Sequence, residues 1–383
     1  MTQRIHQELI LDKHHVSVEL AISDEHMLEA VTLFSPDIII CPFLTKRIPK
    51  VIWKNTPCLI VHPGIEGDRG PSSIDWAIME AQYEWGVTLL QASEEMDAGN
   101  IWETSTFPLR RNSSKSSTYR SEVIQAAAKL VRYAVNKFAT GDVAPRPLNY
   151  KNEHVKGTLK PIMRQDARGI DWHADNTETV LKKLNASDSC PGVLINLEGI
   201  KVYAFGASPE IYLKGKPGSL IATHYDSICL ATVDGAVWIK QLKLKPAEMK
   251  LPATLLLNQL KIETASQVPN LLYPNYSPNY YADEISIRTK ENIAYLYFDF
   301  YNGAMDTQQC NRLKDTFNTL KVNDAIDVIV LMGGEQFWSN GIHLKVIEAS
   351  SDPADESWKN INAINDLIYE ILNCITFNYC CSN

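Results

Sequence analysis

The chain has 383 residues, 45% hydrophobic and 21% charged, with a formal net charge of −8, a length that suits two or three domains. The negative balance weighs against a nucleic-acid partner, because phosphate contacts carry most of that affinity and require lysine and arginine. Eight cysteines, at 41, 58, 190, 229, 310, 374, 380 and 381, make no Cys-x-x-Cys pair, so they read as buried, reduced thiols of a cytoplasmic protein and no metal is expected.

Residues 2–11 are charged and amphipathic, which predicts a helix without a signal-peptide core. No apolar run approaches the roughly 20 residues of a membrane helix, so no membrane partner is expected. Short apolar runs at 16–22, 36–41, 57–62 and 86–92 alternate with helical stretches, which predicts a parallel sheet with helices on its faces. In 117–139, Val123, Ala127, Leu130, Ala134 and Phe138 keep helical spacing. Gly141 follows where a helix end tolerates positive φ. A first domain over 1–150 results.

Two of these runs carry chemistry at their ends. Leu59-Ile60-Val61-His62-Pro63-Gly64 closes on a histidine; Gly86-Val87-Thr88-Leu89-Leu90 leads into Met96-Asp97-Ala98-Gly99. Open α/β sheets place their chemistry at such strand ends. An imidazole changes charge near neutral pH, and a carboxylate within reach fixes its tautomer and relays a proton, as acyl or formyl transfer requires. From spacing alone a structural histidine and an ordinary turn are the commoner reading of the same residues. The loop 64–69 holds Glu66 and Asp68 against Arg69, a balance that favours a small acceptor over tRNA.

From 157 to 262 the pattern becomes short strands at 192–197, 200–207, 219–222, 228–233 and 236–244, separated by turns such as Asp234-Gly235. A small antiparallel barrel is predicted. Residues 263–285, with Pro269, Pro274 and Pro278, read as an extended linker whose tyrosines pack on a neighbouring domain. The last segment, 286–383, predicts a strand at 293–300, a helix bearing Leu313, Phe317 and Leu320, a buried strand at 328–332 and a helix at 358–374.

The run His62-Pro63-Gly64, with Arg69-Gly70-Pro71, Trp76-Ala77-Ile78, Gly86-Val87-Thr88 and Met96-Asp97-Ala98-Gly99, resembles the folate-dependent formyltransferases. That resemblance implies His62 and Asp97 as catalytic residues, and puts Ile60, which cannot donate a hydrogen bond, where the family has an asparagine that helps hold the oxyanion. Such a donor is worth roughly 3 to 4 kcal/mol. Ile170-Asp171-Trp172 resembles the opening of the family's OB-like C-terminal domain. The version Ile-Val-His-Pro-Gly-Ile-x-Gly-Asp-Arg-Gly-Pro-Ser resembles one branch, the hydrogenase maturation factors, in which the formyltransferase is fused to a crotonase-like (enoyl-CoA hydratase) unit. Residues 337–344 resemble the crotonase Phe-Ser-x-Gly-x-Asp-Leu turn, which implies the Ile342 amide as half of an oxyanion hole, with His343 in place of the aspartate.

The fold implied is α/β: a Rossmann-like formyltransferase domain, a small OB-like barrel and the first part of a crotonase-like domain. The family's first strand precedes the helix at 2–11, and the rest of a crotonase unit follows residue 383. The chain is therefore expected to be shortened at both ends and not to complete CoA chemistry alone. The co-substrate implied is N10-formyltetrahydrofolate, its pterin in a groove of Phe43, Leu44, Leu90, Glu94 and Met96. Coenzyme A is the implied acceptor, on the way to the carbon monoxide ligand of a nickel-iron hydrogenase, with hydrogenase maturation proteins as partners. A methionyl-tRNA formyltransferase relative and a non-catalytic folate-binding protein stay open as alternatives.

Overall fold

The computed structural model describes residues 1–245, 249–263, 283–374 and 377–380, in two compact units, Met1–Arg168 and Gly169–Asn383. Nearly all of the expected linker, with its tyrosines, lies outside the described residues.

In the first unit the helix Thr2–Leu11 forms and buries Ile5 and Leu9. The sheet contains β1 (Ile39–Cys41), β2 (Cys58–His62), β3 (Glu84–Gln91) and β4 (Ile101–Pro108), in the order β1-β2-β3-β4. Only β1 and β2 run parallel; β2 with β3 and β3 with β4 are antiparallel, which corrects the expectation of a parallel sheet. Six of the eight residues of β3 are buried, because the helix Ile124–Thr140 packs on β3 and β4. A strand so enclosed has no alternating polar face from which its direction could be read.

The expected strand at 16–22 does not form. Val18, Leu20 and Ile22 stay 51%, 70% and 59% exposed, and without a partner ladder an apolar run is not a strand. The long helix does form, as Lys115–Thr118, a π-helical turn Tyr119–Val123 and Ile124–Thr140, and ends at Gly141 with φ 74°. Val123, Ala127, Leu130 and Ala134 are buried as expected, while Phe138 is half-buried.

The second unit opens with the helix Thr177–Ala186, capped by Asn176. Its main sheet holds β5 (Val193–Leu197), β6 (Ile200–Glu210), β7 (Leu220–His224), β8 (Ser227–Ala231), β9 (Ala236–Leu244) and β10 (Leu251–Pro252). The five predicted strands all appear, but their order is β5-β6-β9-β8-β7, with β10 on β9. Among the described residues β5 and β7 are opposite edges, so the sheet is open and the expected closed barrel is not found. The helices Thr177–Ala186 and Ala253–Leu260 bury one face over Val202, Ile228, Val237 and Ile239, and this cover does for one side what closure would have done.

Beyond the main sheet, β11 (Ile285–Lys290) and β12 (Ile293–Phe298) form a hairpin. β13 (Ala304–Met305) precedes the helix Thr307–Lys321, which buries Leu313, Phe317 and Leu320. β14 (Val328–Gly333) lies parallel to β12, and β15 (Gly341–Ile342) to β13. After the helix Pro353–Leu372, β16 (Phe377–Cys380) runs parallel to β14. Neither β11 nor β16 was expected. Strands of four to six residues without turn signals around them leave little trace in a sequence.

A buried polar hub ties this part to the main sheet. Gln309 donates to Asp226 at 2.9 Å and to Glu284 at 3.1 Å, and Arg312 donates to Glu284 at 2.7 Å. The Arg312 guanidinium also stacks 4.0 Å over the Tyr225 ring. Burial, then the charges of neighbouring acids, pushes the Asp226 carboxyl well above its usual range; burial also raises Glu284, against the pull of Arg312.

Two results are expected from this hub. Arg312→Ala should cost about 3 kcal/mol in denaturant unfolding, since it strands a buried carboxylate. Folded carboxyls raised above their unfolded values of 3.8 and 4.5 hold protons that the unfolded chain has released. Their contribution is therefore complete below those values and is lost as pH rises through the raised ones. Glu284→Gln should flatten that slope; an unchanged slope contradicts the assignment.

Candidate active site

The site begins where β2 ends. His62 pairs with Thr88 of β3, and the turn after it is pinned from three sides. The Pro63 carbonyl accepts from the Ser73 hydroxyl at 2.7 Å and the Trp85 indole at 2.9 Å; the Gly64 carbonyl accepts from the Thr88 hydroxyl at 2.8 Å. These bonds aim an imidazole that is only 4% exposed.

Both ring nitrogens of His62 face carboxylates. Nε2 lies 2.8 Å from Asp68 Oδ2, and Nδ1 lies 3.8 Å from Asp97 Oδ1. An ionised carboxylate only accepts, so Asp68 keeps a proton on Nε2 and leaves Nδ1 as the nitrogen that exchanges one. Gly64 makes this possible: a Cβ there would stand 2.3 Å from Asp68 Oδ2 and 2.5 Å from His62 Nε2.

Asp97 adopts φ 54°, a left-handed conformation tolerated by Asp at a cost of order 1 kcal/mol. Its Oδ2 accepts from the Gly70 amide at 3.2 Å. The loop 64–70 is strapped by residues 157–160, through Gly157 N–H to the Glu66 carbonyl and Lys160 N–H to the Arg69 carbonyl. Glu66 is buried in an ion pair with Arg146. Behind Asp68, the Tyr119 phenol is pushed up to about 12 by burial and by the charges of Asp75 and Asp68.

Residues 3–133 match the formyl transferase family model, and 162–259 match the formyl transferase C-terminal domain. The chain is 42% identical to the hydrogenase maturation factor HoxX of Bradyrhizobium diazoefficiens, over 97% of this chain and 63% of that protein. It superposes on HypX from Aquifex aeolicus, solved in complex with tetrahydrofolic acid, with a TM-score of 0.93 and 42% identity, over 99% of this chain and 66% of that one. A variant of the same HypX gives 0.92 over 98% of this chain and 68% of that one. The chain belongs to the HoxX/HypX formyltransferase family. It spans about two thirds of the length of these relatives. Methionyl-tRNA formyltransferase from Geobacillus thermodenitrificans is 26% identical over 62% of this chain and 74% of that protein.

The family's motif residues fall as follows. His62 and Asp97 come within 3.8 Å of each other, and Ile60 turns into the apolar cluster of Ile48, Ile52, Cys58 and Ala92. Phe43 and Met96 are 72% and 63% exposed, Leu44 is half-buried, and Glu94 is exposed beside Lys50. Leu90 is only 3% exposed in β3, so its side chain belongs to the sheet's core. Ile342 lies in the second unit, in the short strand β15, and His343 caps the helix Leu344–Ala349 by accepting from the Val346 amide.

Asp68 was not among the expected residues. The one signal was its place in the loop after His62, where it was read as surface charge. That reading is corrected: Glu66 and Asp68 both point inward, to Arg146 and His62, so they carry no weight against tRNA. The cysteine expectation also fails in part, since Cys190 is exposed and Cys41 and Cys374 are half-buried. Burial pushes the Cys41 and Cys58 thiols up to about 12, which makes both poor nucleophiles. Among the described residues no cluster of three or more metal-ligating side chains occurs and no helix is long and apolar enough to cross a membrane.

Proposed function

We propose that this chain moves the formyl group of N10-formyltetrahydrofolate to a small acceptor, the thiol of coenzyme A, in the maturation of a nickel-iron hydrogenase. The observation that carries this reading is the buried imidazole between two carboxylates at the end of β2. Membership of the HoxX/HypX family supports it, as does the tetrahydrofolic acid bound by one relative.

In the step proposed both ring nitrogens of His62 carry protons, Nε2 donating to Asp68 and Nδ1 donating to the formyl oxygen. As the acceptor sulfur bonds to the formyl carbon, negative charge collects on that oxygen, and the buried His62 meets it. Asp97 takes the thiol proton and returns it to the folate nitrogen as the carbon–nitrogen bond breaks. Formyl-CoA and tetrahydrofolate result, so the atoms balance without an oxidant. With Ile60 in place of an amide donor, His62 carries the polarisation that two donors share elsewhere in the family.

We read residues 286–383 as crotonase-like, with the Ile342 amide as one oxyanion donor for the resulting thioester, in a cytoplasmic protein. The domain limits 1–150 and 157–262 belong to the same proposal. Supplying coenzyme A and methionyl-tRNA separately, with labelled formyl donor, tests the acceptor. Label is expected in a thioester; label in tRNA, with a steep salt dependence, selects the tRNA reading instead. Folate binding with no transfer to either selects a binding protein.

A further inference from the structure

One side chain joins the two loops that bring carboxylates to His62. Arg69 follows Asp68 directly, and its backbone is fixed: its N–H donates to the Thr158 carbonyl at 3.2 Å, and its carbonyl accepts from the Lys160 N–H at 2.9 Å. From there the side chain, only 13% exposed, crosses to the loop between β3 and β4. Nε donates to the Met96 carbonyl at 3.2 Å, and Nη2 donates to the Glu95 carboxylate at 2.6 Å.

These two bonds differ in what they hold. Glu95 is 69% exposed, so water screens its ion pair, which contributes little to stability. The Met96 carbonyl lies in the peptide plane that precedes Asp97, and the rotation of that plane is φ of Asp97. Among the described residues it has no other hydrogen-bond partner. Asp97 stands at φ 54°, a conformation that persists only where its surroundings hold it. Its Oδ2 accepts from the Gly70 amide at 3.2 Å, so residues 69 and 70 grip Asp97 by backbone and side chain together.

We infer that Arg69 is a positioning residue for the proton transfer, its bond to the Met96 carbonyl fixing the turn that faces the Asp97 carboxylate towards His62 Nδ1. The inference deepens the formyl-transfer reading and rests on it. Arg69 acts through Asp97 and carries no proton itself. Asp97 Oδ1 and Nδ1 stand 3.8 Å apart, already beyond a hydrogen bond. A further displacement of about 1 Å at such a contact costs about a hundredfold in rate.

The test measures kcat and KM for deformylation of N10-formyltetrahydrofolate by the full chain, with Arg69 variants made alone and together with Asp97→Asn. Arg69→Met keeps the apolar stem without donors, and Arg69→Lys keeps the charge without the planar fork. Each should lower kcat roughly ten- to a hundredfold, with KM within about twofold of the wild type. In the Asp97→Asn background the same changes should lower kcat no further, since the carboxylate they position is already gone. Glu95→Gln removes the exposed ion pair alone and should stay within about twofold of the wild type. Wild-type kcat in both Arg69 variants, a rise in KM with kcat unchanged, or losses that multiply with that of Asp97→Asn overturn the positioning role. So does a loss in Glu95→Gln as large as that in Arg69→Lys. A wild-type rate in Asp97→Asn alone overturns the proton relay, and the role of Arg69 with it.

Discussion

His62→Ala should lower folate deformylation by roughly a hundred- to ten-thousand-fold, the usual range for removing a positioned acid or base. Only 4% of the residue is exposed, and its ring has a carboxylate on each side. Alanine removes the donor to the formyl oxygen and also leaves Asp68 buried without its partner. Stability should therefore fall as well, by about 3 kcal/mol. Asp97→Asn separates the two effects. It keeps the shape and an acceptor for the Gly70 amide, but cannot carry a proton. Its turnover should fall by a similar factor, with the affinity for tetrahydrofolate within about twofold of the wild type, since a step made only in the transition state shows in kcat. Wild-type rates in both variants would end the mechanism.

The second large effect is expected at a position with no functional group. Gly64→Ala puts a methyl group 2.3 Å from Asp68 Oδ2 and 2.5 Å from His62 Nε2, closer than those atoms can be approached. The neighbours are not free to yield. The Pro63 and Gly64 carbonyls are fixed by Ser73, Trp85 and Thr88, and Asp68 lies under the backbone of Gly157. The 2.8 Å bond between Asp68 and His62 must break. The ring then loses the carboxylate that holds its orientation, and kcat should drop by roughly a hundredfold or more. Asp68→Asn should reproduce that loss without steric strain. If Asp68→Asn turns over normally, Asp68 only fills space, and a slow Gly64→Ala chain then reports distortion alone.

Much of this architecture is written in local pattern. The runs 57–62 and 86–92 became β2 and β3, the helical spacing of Val123, Ala127, Leu130 and Ala134 became a buried stripe, and Gly141 took the left-handed turn that ends it. The five short strands between 192 and 244 also appear, each near its predicted limits. In the same way the pair His62 and Asp97 stood out, because strand-end histidines and Asp-x-Gly turns are marked by residue type.

Other features had no local mark. Val18, Leu20 and Ile22 alternate as a strand should, yet no strand among the described residues pairs with them and they remain exposed. The strand directions around β3, the open edges β5 and β7, and the inward turn of Glu66 and Asp68 are matters of which segment meets which.

The amino-acid sequence by itself determined where most helices and strands form and marked the imidazole and the strand-end carboxylate proposed to carry the chemistry, because periodicity, capping and residue type act over a few neighbouring positions. Only the tertiary structure decided that Asp68, rather than Asp97, makes the 2.8 Å contact with His62. That choice depends on a glycine without a side chain at 64 and on a strap from residues 157–160, and distance through space between such segments is set by packing, not by spacing along the chain.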